Sequence, residues 1–240
     1  MKDLKHRLYF TFADKVFGNA DSKIFVELAV ELINENIETE NLIILAGLDS
    51  SDSEEREKYF KKSLNDLNIE FPEINDDLIS LYAMQLAENV ISSKLKPKDG
   101  LTKMSNLVFA SDFASRFHPF IDLDEDIDYL ISSNSTIFNN GLKQENIDDY
   151  IVNEFELFLA IEKIEDKEIR TKAKCKNCGV VMNPEYKSKR SLFNPFGKKG
   201  FYCSKCKSSD LIYFNTRNGR KELLEEIKKL TPTSSCFHWG

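Results

Sequence analysis

Residues 175–206 read CKNCGVVMNPEYKSKRSLFNPFGKKGFYCSKC. The stretch holds four of the chain's five cysteines, and its spacer is crowded with lysine, arginine and phenylalanine. The whole chain is acidic, with a net charge of −7 over 240 residues, so positive charge has been gathered here. Residues 1–166 carry 16 Lys+Arg against 34 Asp+Glu, a net of −18. Residues 167–221 carry 15 against 3, a net of +12. A swing of that size marks a boundary, and the chain is expected to divide into 1–166, 167–216 and 217–240.

Cys175, Cys178, Cys203 and Cys206 form C-x2-C-x24-C-x2-C. Two residues between thiolates let one tight turn aim both sulfurs at a single ion, while the turn's amides stabilise their charge. Two such turns brought together make the tetrahedral cage that zinc accepts, and four thiolates leave no open position, so the expected role is structural Zn2+. Iron accepts four thiolates too, and spacing alone leaves it as the alternative. A redox pair would be a single C-x-x-C in a βαβ setting, which is not found here. Gly179 follows the first pair, where a residue free to take positive φ completes the turn. Short β-prone runs flank the pairs: Val180 to Met182, Gly200 to Tyr202 and Leu211 to Phe214. On these residues the segment from about 170 to 216 resembles a zinc ribbon, with a long spacer and with Lys207 in place of glycine after Cys206.

The acidic part reads as helix throughout. Asp21 or Ser22 can cap a segment with Ile24, Phe25, Leu28, Leu32 and Ile33 at helical spacing. Ser51 and Glu54 have capping-box spacing ahead of Phe60, Leu64 and Leu67. Asn75 or Asp76 opens a stripe of Leu78, Ile79, Tyr82, Leu86 and Val90, and residues 96–100, KPKDG, read as the turn that ends it. A short helix is expected after Pro119, and a last one from about Glu145 with Ile147, Ile151, Phe155 and Phe158. Residues 219–230 close the chain with a short helix containing RKELLEEIKKL. The fold class is therefore mainly α: an all-α N-terminal domain, a small β zinc ribbon and a short C-terminal helix. The run LIILAGLDSSDSEEREKYFKKSLNDLNIEFP and the later run from Leu86 through HPFIDLDEDIDYL, together about residues 40–131, resemble segments of uncharacterised helical bacterial proteins. That resemblance brings no site residues with it; some small helical proteins of this appearance resemble toxin-neutralising or adaptor proteins, which implies protein binding.

Several features invite a chemical reading. Asp122, Asp124 and Asp126 have calcium-loop spacing, but Ile127 stands where such a loop needs glycine and Ser133 where it needs glutamate. The run reads instead as an acidic helix start favoured by the helix dipole. His118 lacks an identifiable acidic or nucleophilic partner. Cys236 and His238 could form a second ligand pair but read better as an unstructured tail. In the spacer, Lys187, Lys189, Arg190, Lys198 and Lys199 lie among Tyr186, Phe193, Phe196 and Phe201, on what reads as a loop. Cations that meet phosphates, interleaved with rings that stack on bases, suit a nucleic acid. The same rings can instead form the module's small core, and the lysines can face the chain's own acidic helices.

No phosphate-loop, dinucleotide, zincin or serine-hydrolase motif occurs. The N-terminus, MKDLKHRLYFTFADK, is charged throughout, and the apolar run LIILAGL is far too short to span a bilayer. An odd cysteine count without an export signal argues against disulfides and for a reducing cytoplasm. The expectation is a non-catalytic zinc-binding protein with a protein partner, which the acidic charge suggests is basic. A nucleic-acid-binding regulator using the basic spacer is the alternative.

Overall fold

The computed structural model describes residues 2–191 and 194–230. Eight α-helices come first: α1 (Lys2–Phe17), α2 (Lys23–Asn34), α3 (Glu40–Ala46), α4 (Ser53–Asp66), α5 (Asp76–Ile91), α6 (Pro97–Ala110), α7 (His118–Ser133) and α8 (Ile147–Glu162). Five short strands follow: β1 (Ala173–Cys175), β2 (Val181–Met182), β3 (Glu185–Ser191), β4 (Asn194–Tyr202) and β5 (Leu211–Tyr213). Helix α9 (Arg217–Leu230) comes last. The protein is mainly α, with a small β region and a short final helix. It forms two compact units that meet in sequence between Phe155 and Glu156, inside α8 and upstream of the charge swing.

In the first unit, apolar periodicity and caps set the helices. Asn75 accepts hydrogen bonds from the amides of Asp77 and Leu78, both 3.1 Å, and Leu78, Tyr82, Leu86 and Val90 of α5 are buried. Helix α4 is capped one residue later than the Ser51 spacing predicts, by Asp52, whose carboxylate accepts from Glu55 N at 2.8 Å. The two residues offer overlapping cap patterns, and an anion at a helix N-terminus gains from the dipole as well as the hydrogen bond. Residues 97–100 begin α6 rather than merely ending α5, since proline is at home in a helix's first turn. Helix α1 buries Leu8, Ala13 and Phe17.

Helices α1 to α4 enclose one cluster that includes Leu8, Phe25, Leu32, Leu42, Leu45, Phe60 and Leu64, with the Phe25 and Phe60 rings stacked at 4.1 Å. Buried Arg56 ties α4 to its neighbours, donating to Leu48 O (3.0 Å), Asp49 O (2.7 Å) and Ser22 Oγ (3.0 Å). A polar knot joins α1, α5 and α6: the Tyr82 hydroxyl donates to Asp14 at 2.5 Å, and Lys103 Nζ meets both Asp14 oxygens at 2.6 and 2.8 Å. Burial and the Asp14 charge push the Tyr82 phenol's pKa up.

Helix α7 overturns the reading of the acidic run. It begins at His118 with Pro119 in its first turn, so Asp122 to Asp128 lie in its middle rather than at its start. Leu123, Asp126, Ile127 and Leu130 form its buried stripe.

In the second unit, β1 is the centre of a three-stranded antiparallel sheet in the order β2–β1–β5, with Ala173 opposite both Met182 and Tyr213. Leu157, Ile161, Phe214 and Leu223 form its buried cluster, with Leu224 and Ile227 of α9 against them. Lys174 on β1 holds Glu226 at 2.9 Å and also bonds Glu222, pinning α9 alongside. The spacer, which reads as a loop, is instead an antiparallel hairpin of β3 and β4, with Tyr186 opposite Phe201, Ser188 opposite Lys199 and Lys189 opposite Lys198. Its basic sequence lacks the apolar–polar alternation that marks a half-buried strand, so backbone pairing carries it without a sequence signature.

Candidate metal centre

The four cysteines converge. Cys175 is the last residue of β1, Cys178 ends the turn after it, and Cys203 and Cys206 occupy the turn that follows β4. Their sulfurs all lie within 4.8 Å of one another, with Cys175 and Cys206 at 3.5 Å and Cys178 and Cys203 at 3.6 Å. A tetrahedron with metal–sulfur arms of about 2.3 Å has edges of about 3.8 Å, so the cage fits a metal ion of that kind. Cys175 and Cys203 are buried, and Cys178 and Cys206 are half-buried.

The two turns are built alike. Gly179 N donates to Cys175 O at 2.8 Å, and Cys175 N donates to Val180 O at 3.0 Å. In the second turn Lys207 N donates to Cys203 O at 3.0 Å, and Cys203 N donates to Ser208 O at 2.8 Å. Gly179 has φ +71° and Lys207 φ +60°. Lys207 therefore takes the left-handed conformation that glycine takes in the first turn, a strained choice for a residue with a Cβ. Its side chain is held by Ser204 O at 2.6 Å and Glu185 at 3.1 Å.

Charge within the cage is uneven. The Ser208 amide and the Asn177 side chain, 3.6 Å from Cys206 Sγ, bring the Cys206 thiol down to about 6. The amide of Cys206, 3.5 Å from Cys203 Sγ, lowers Cys203 as well. At Cys178 the Val180 amide favours the thiolate, but desolvation and the other three cysteines outweigh it and push the thiol up to about 11. Thiolates this close repel, and a metal cation at their centre would let all four ionise.

The proposed polyanion residues lie on the neighbouring hairpin. Lys187 is drawn to Glu185 at 2.5 Å, and Lys187 together with Lys207 lowers the Glu185 carboxyl. Lys199 is exposed opposite Ser188. Lys189, Arg190, Phe196 and Lys198 have backbone positions in β3 and β4 while their side chains lie outside the described residues, as do Phe193, Cys236 and His238 altogether. Tyr186 and Phe201 are 61% and 48% exposed, with ring centroids 5.1 Å apart, and Phe201 lies 6.2 Å from Tyr213.

One residue of note has a role that its motif reading does not give. Asp126 is fully buried in α7 and accepts from the backbone amides of Ile137 (2.5 Å), Phe138 (2.9 Å) and Asn139 (2.6 Å). Its signal was an acid standing on the apolar stripe between Leu123 and Leu130. Among the described residues, no helix is long and apolar enough to cross a membrane. No family model, curated protein or solved structure matches this chain.

Proposed function

We propose that this is a non-catalytic protein, stabilised by structural zinc in the four-cysteine cage, that works by binding another protein through its acidic helical unit as an adaptor or neutralising partner. The observation that carries the reading is the apolar surface of that unit. Phe109 and Phe113 are 69% and 59% exposed with their rings in edge contact, and Ile131, Ile137 and Phe138 are 59%, 59% and 51% exposed. Large apolar side chains left in water amid like charges are what a protein interface supplies before its partner arrives. The acidic field adds steering toward a basic partner, which raises association rate and disfavours wrong partners. Four thiols suit a closed structural site, whose chemistry is to hold two turns together.

The alternative, a nucleic-acid-binding regulator, draws on the exposed Tyr186–Phe201 pair within a segment of net +12. Recovery of the full chain from the cells that make it, with and without nuclease treatment, separates the two readings. The protein-binding reading expects a stoichiometric polypeptide whose association with the purified chain slows as salt rises. Retention of nucleic acid alone, with no stoichiometric polypeptide, would overturn it.

A further inference from the structure

The α7–α8 connection does something a connection does not require. Three consecutive amides, those of Ile137, Phe138 and Asn139, converge on the one carboxylate of Asp126, and Asn139 Nδ2 adds a fourth bond at 3.0 Å. Asp126 has no exposure to solvent and Asn139 has 7%. Asn139 Nδ2 also bonds Asp122 O at 3.2 Å, and Gln144 reaches Leu130 O at 3.4 Å, so the loop is fastened to α7 at several points. Burying a lone carboxylate is unfavourable by several kcal/mol unless donors surround it, and here the loop's own backbone supplies them. Between the fastened points the loop turns two large apolar side chains outward, Ile137 and Phe138.

A flexible loop would lose much of its binding free energy on being ordered, whereas a clamped one has lost that freedom already. An aromatic and a branched aliphatic side chain on such a loop have the character of interface anchors. Their electrical surroundings define the partner. Residues 111–149 contain nine Asp+Glu and two Lys+Arg, Arg116 and Lys143. Arg116 is engaged with Ser80 Oγ at 3.0 Å and with the Phe117 ring at 4.7 Å, and Lys143 lies 3.6 Å from Glu145. On α7 itself Asp124, Glu125 and Asp128 crowd one another, and burial with that repulsion raises the Asp124 carboxyl.

From this geometry we infer that the 134–142 loop is a pre-ordered docking anchor, with Ile137 and Phe138 entering an apolar centre ringed by basic side chains on a partner protein. The inference rests on the protein-binding reading and gives it a location and a partner chemistry.

The test uses the full chain and three synthetic amphipathic helices of equal length, built from Leu and Lys, Leu and Gln, or Leu and Glu. The basic helix should bind, slow amide exchange across 134–142 and α7, and weaken with salt. Ile137→Ser with Phe138→Ser, both at exposed positions, should weaken it at least tenfold without altering the fold. Asp126→Asn should speed exchange of the 137–139 amides and weaken binding with both anchors in place. If Asp126→Asn fails to fold, the surface double variant still decides. Equal binding of all three helices, or none, would overturn the inference. A footprint elsewhere on the acidic unit would overturn the location yet leave the protein-binding reading standing, and a footprint confined to the second unit would count against both.

Discussion

Replacing Gly219 by alanine sets two effects of opposite sign against each other. Gly219 lies in the first turn of α9, and a Cβ there would sit 1.7 Å from Tyr213 O, 2.5 Å from Tyr213 C and 2.9 Å from Phe214 Cα. All three atoms are backbone and none can swing aside. Helix propensity alone predicts that alanine stabilises by about 1 kcal/mol. Carbon approaches a carbonyl oxygen to about 3.3 Å, so the helix start must retreat from β5 by about 1.5 Å. That retreat opens the cluster in which Leu223 and Phe214 are 0% and 1% exposed. Exposing two such side chains loses about 3–6 kcal/mol, which outweighs the propensity gain. A melting curve of the whole chain would mix two units, so hydrogen exchange resolved along the sequence is the better assay. The net loss of about 2–5 kcal/mol, at about 1.4 kcal/mol per tenfold, means that α9 and β5 amides should open at least about thirtyfold more often in Gly219→Ala. Unchanged or slower exchange there would show that propensity decides and that the close approach does not constrain the helix.

Three further outcomes are expected. Gly179→Ala meets no atom within 4 Å but must hold φ +71°, so it should lose about 1–2 kcal/mol by strain alone and surrender metal to a chelator sooner than the native chain. Asp126→Ala removes the acceptor of three loop amides, and with unsatisfied donors at about 1–3 kcal/mol each it should lower the first unit's unfolding free energy by about 3 kcal/mol or more, seen as an earlier midpoint in urea. Lys229 and then Lys174 hold the Glu226 carboxyl down from 4.5 to about 2. A depressed carboxylate contributes fully above its unfolded value and fades as pH falls through its folded one, so α9 protection should decline between pH 4.5 and 2, and Glu226→Gln should lack that component.

The legible parts of the sequence were those with a period or a fixed spacing. Asn75 and the Leu78–Val90 stripe announced α5, and the paired Cys-x-x-Cys turns announced the cage, because each pattern has few physical solutions. The hairpin is hidden because Tyr186, Lys187 and Ser188 are exposed in succession and the run Lys187, Ser188, Lys189 is polar throughout, leaving no alternation to read. Pro97 was ambiguous, since proline suits both a turn and a helix's first residue. Asp126 looked like its acidic neighbours, and only the burial of the Leu123–Leu130 stripe distinguishes it. Lys207 stands in sequence where the turn favours glycine, yet it adopts the same backbone as Gly179.

A structural zinc in the cage of Cys175, Cys178, Cys203 and Cys206 is open to elemental analysis of the purified full chain. The native chain should carry one zinc, absent from Cys203→Ser, in which the second unit should lose its protection while α1 to α7 keep theirs. A chain with no bound metal, one whose four thiolates carry iron with its visible absorbance, or a Cys203→Ser variant that keeps a full equivalent of zinc would contradict it.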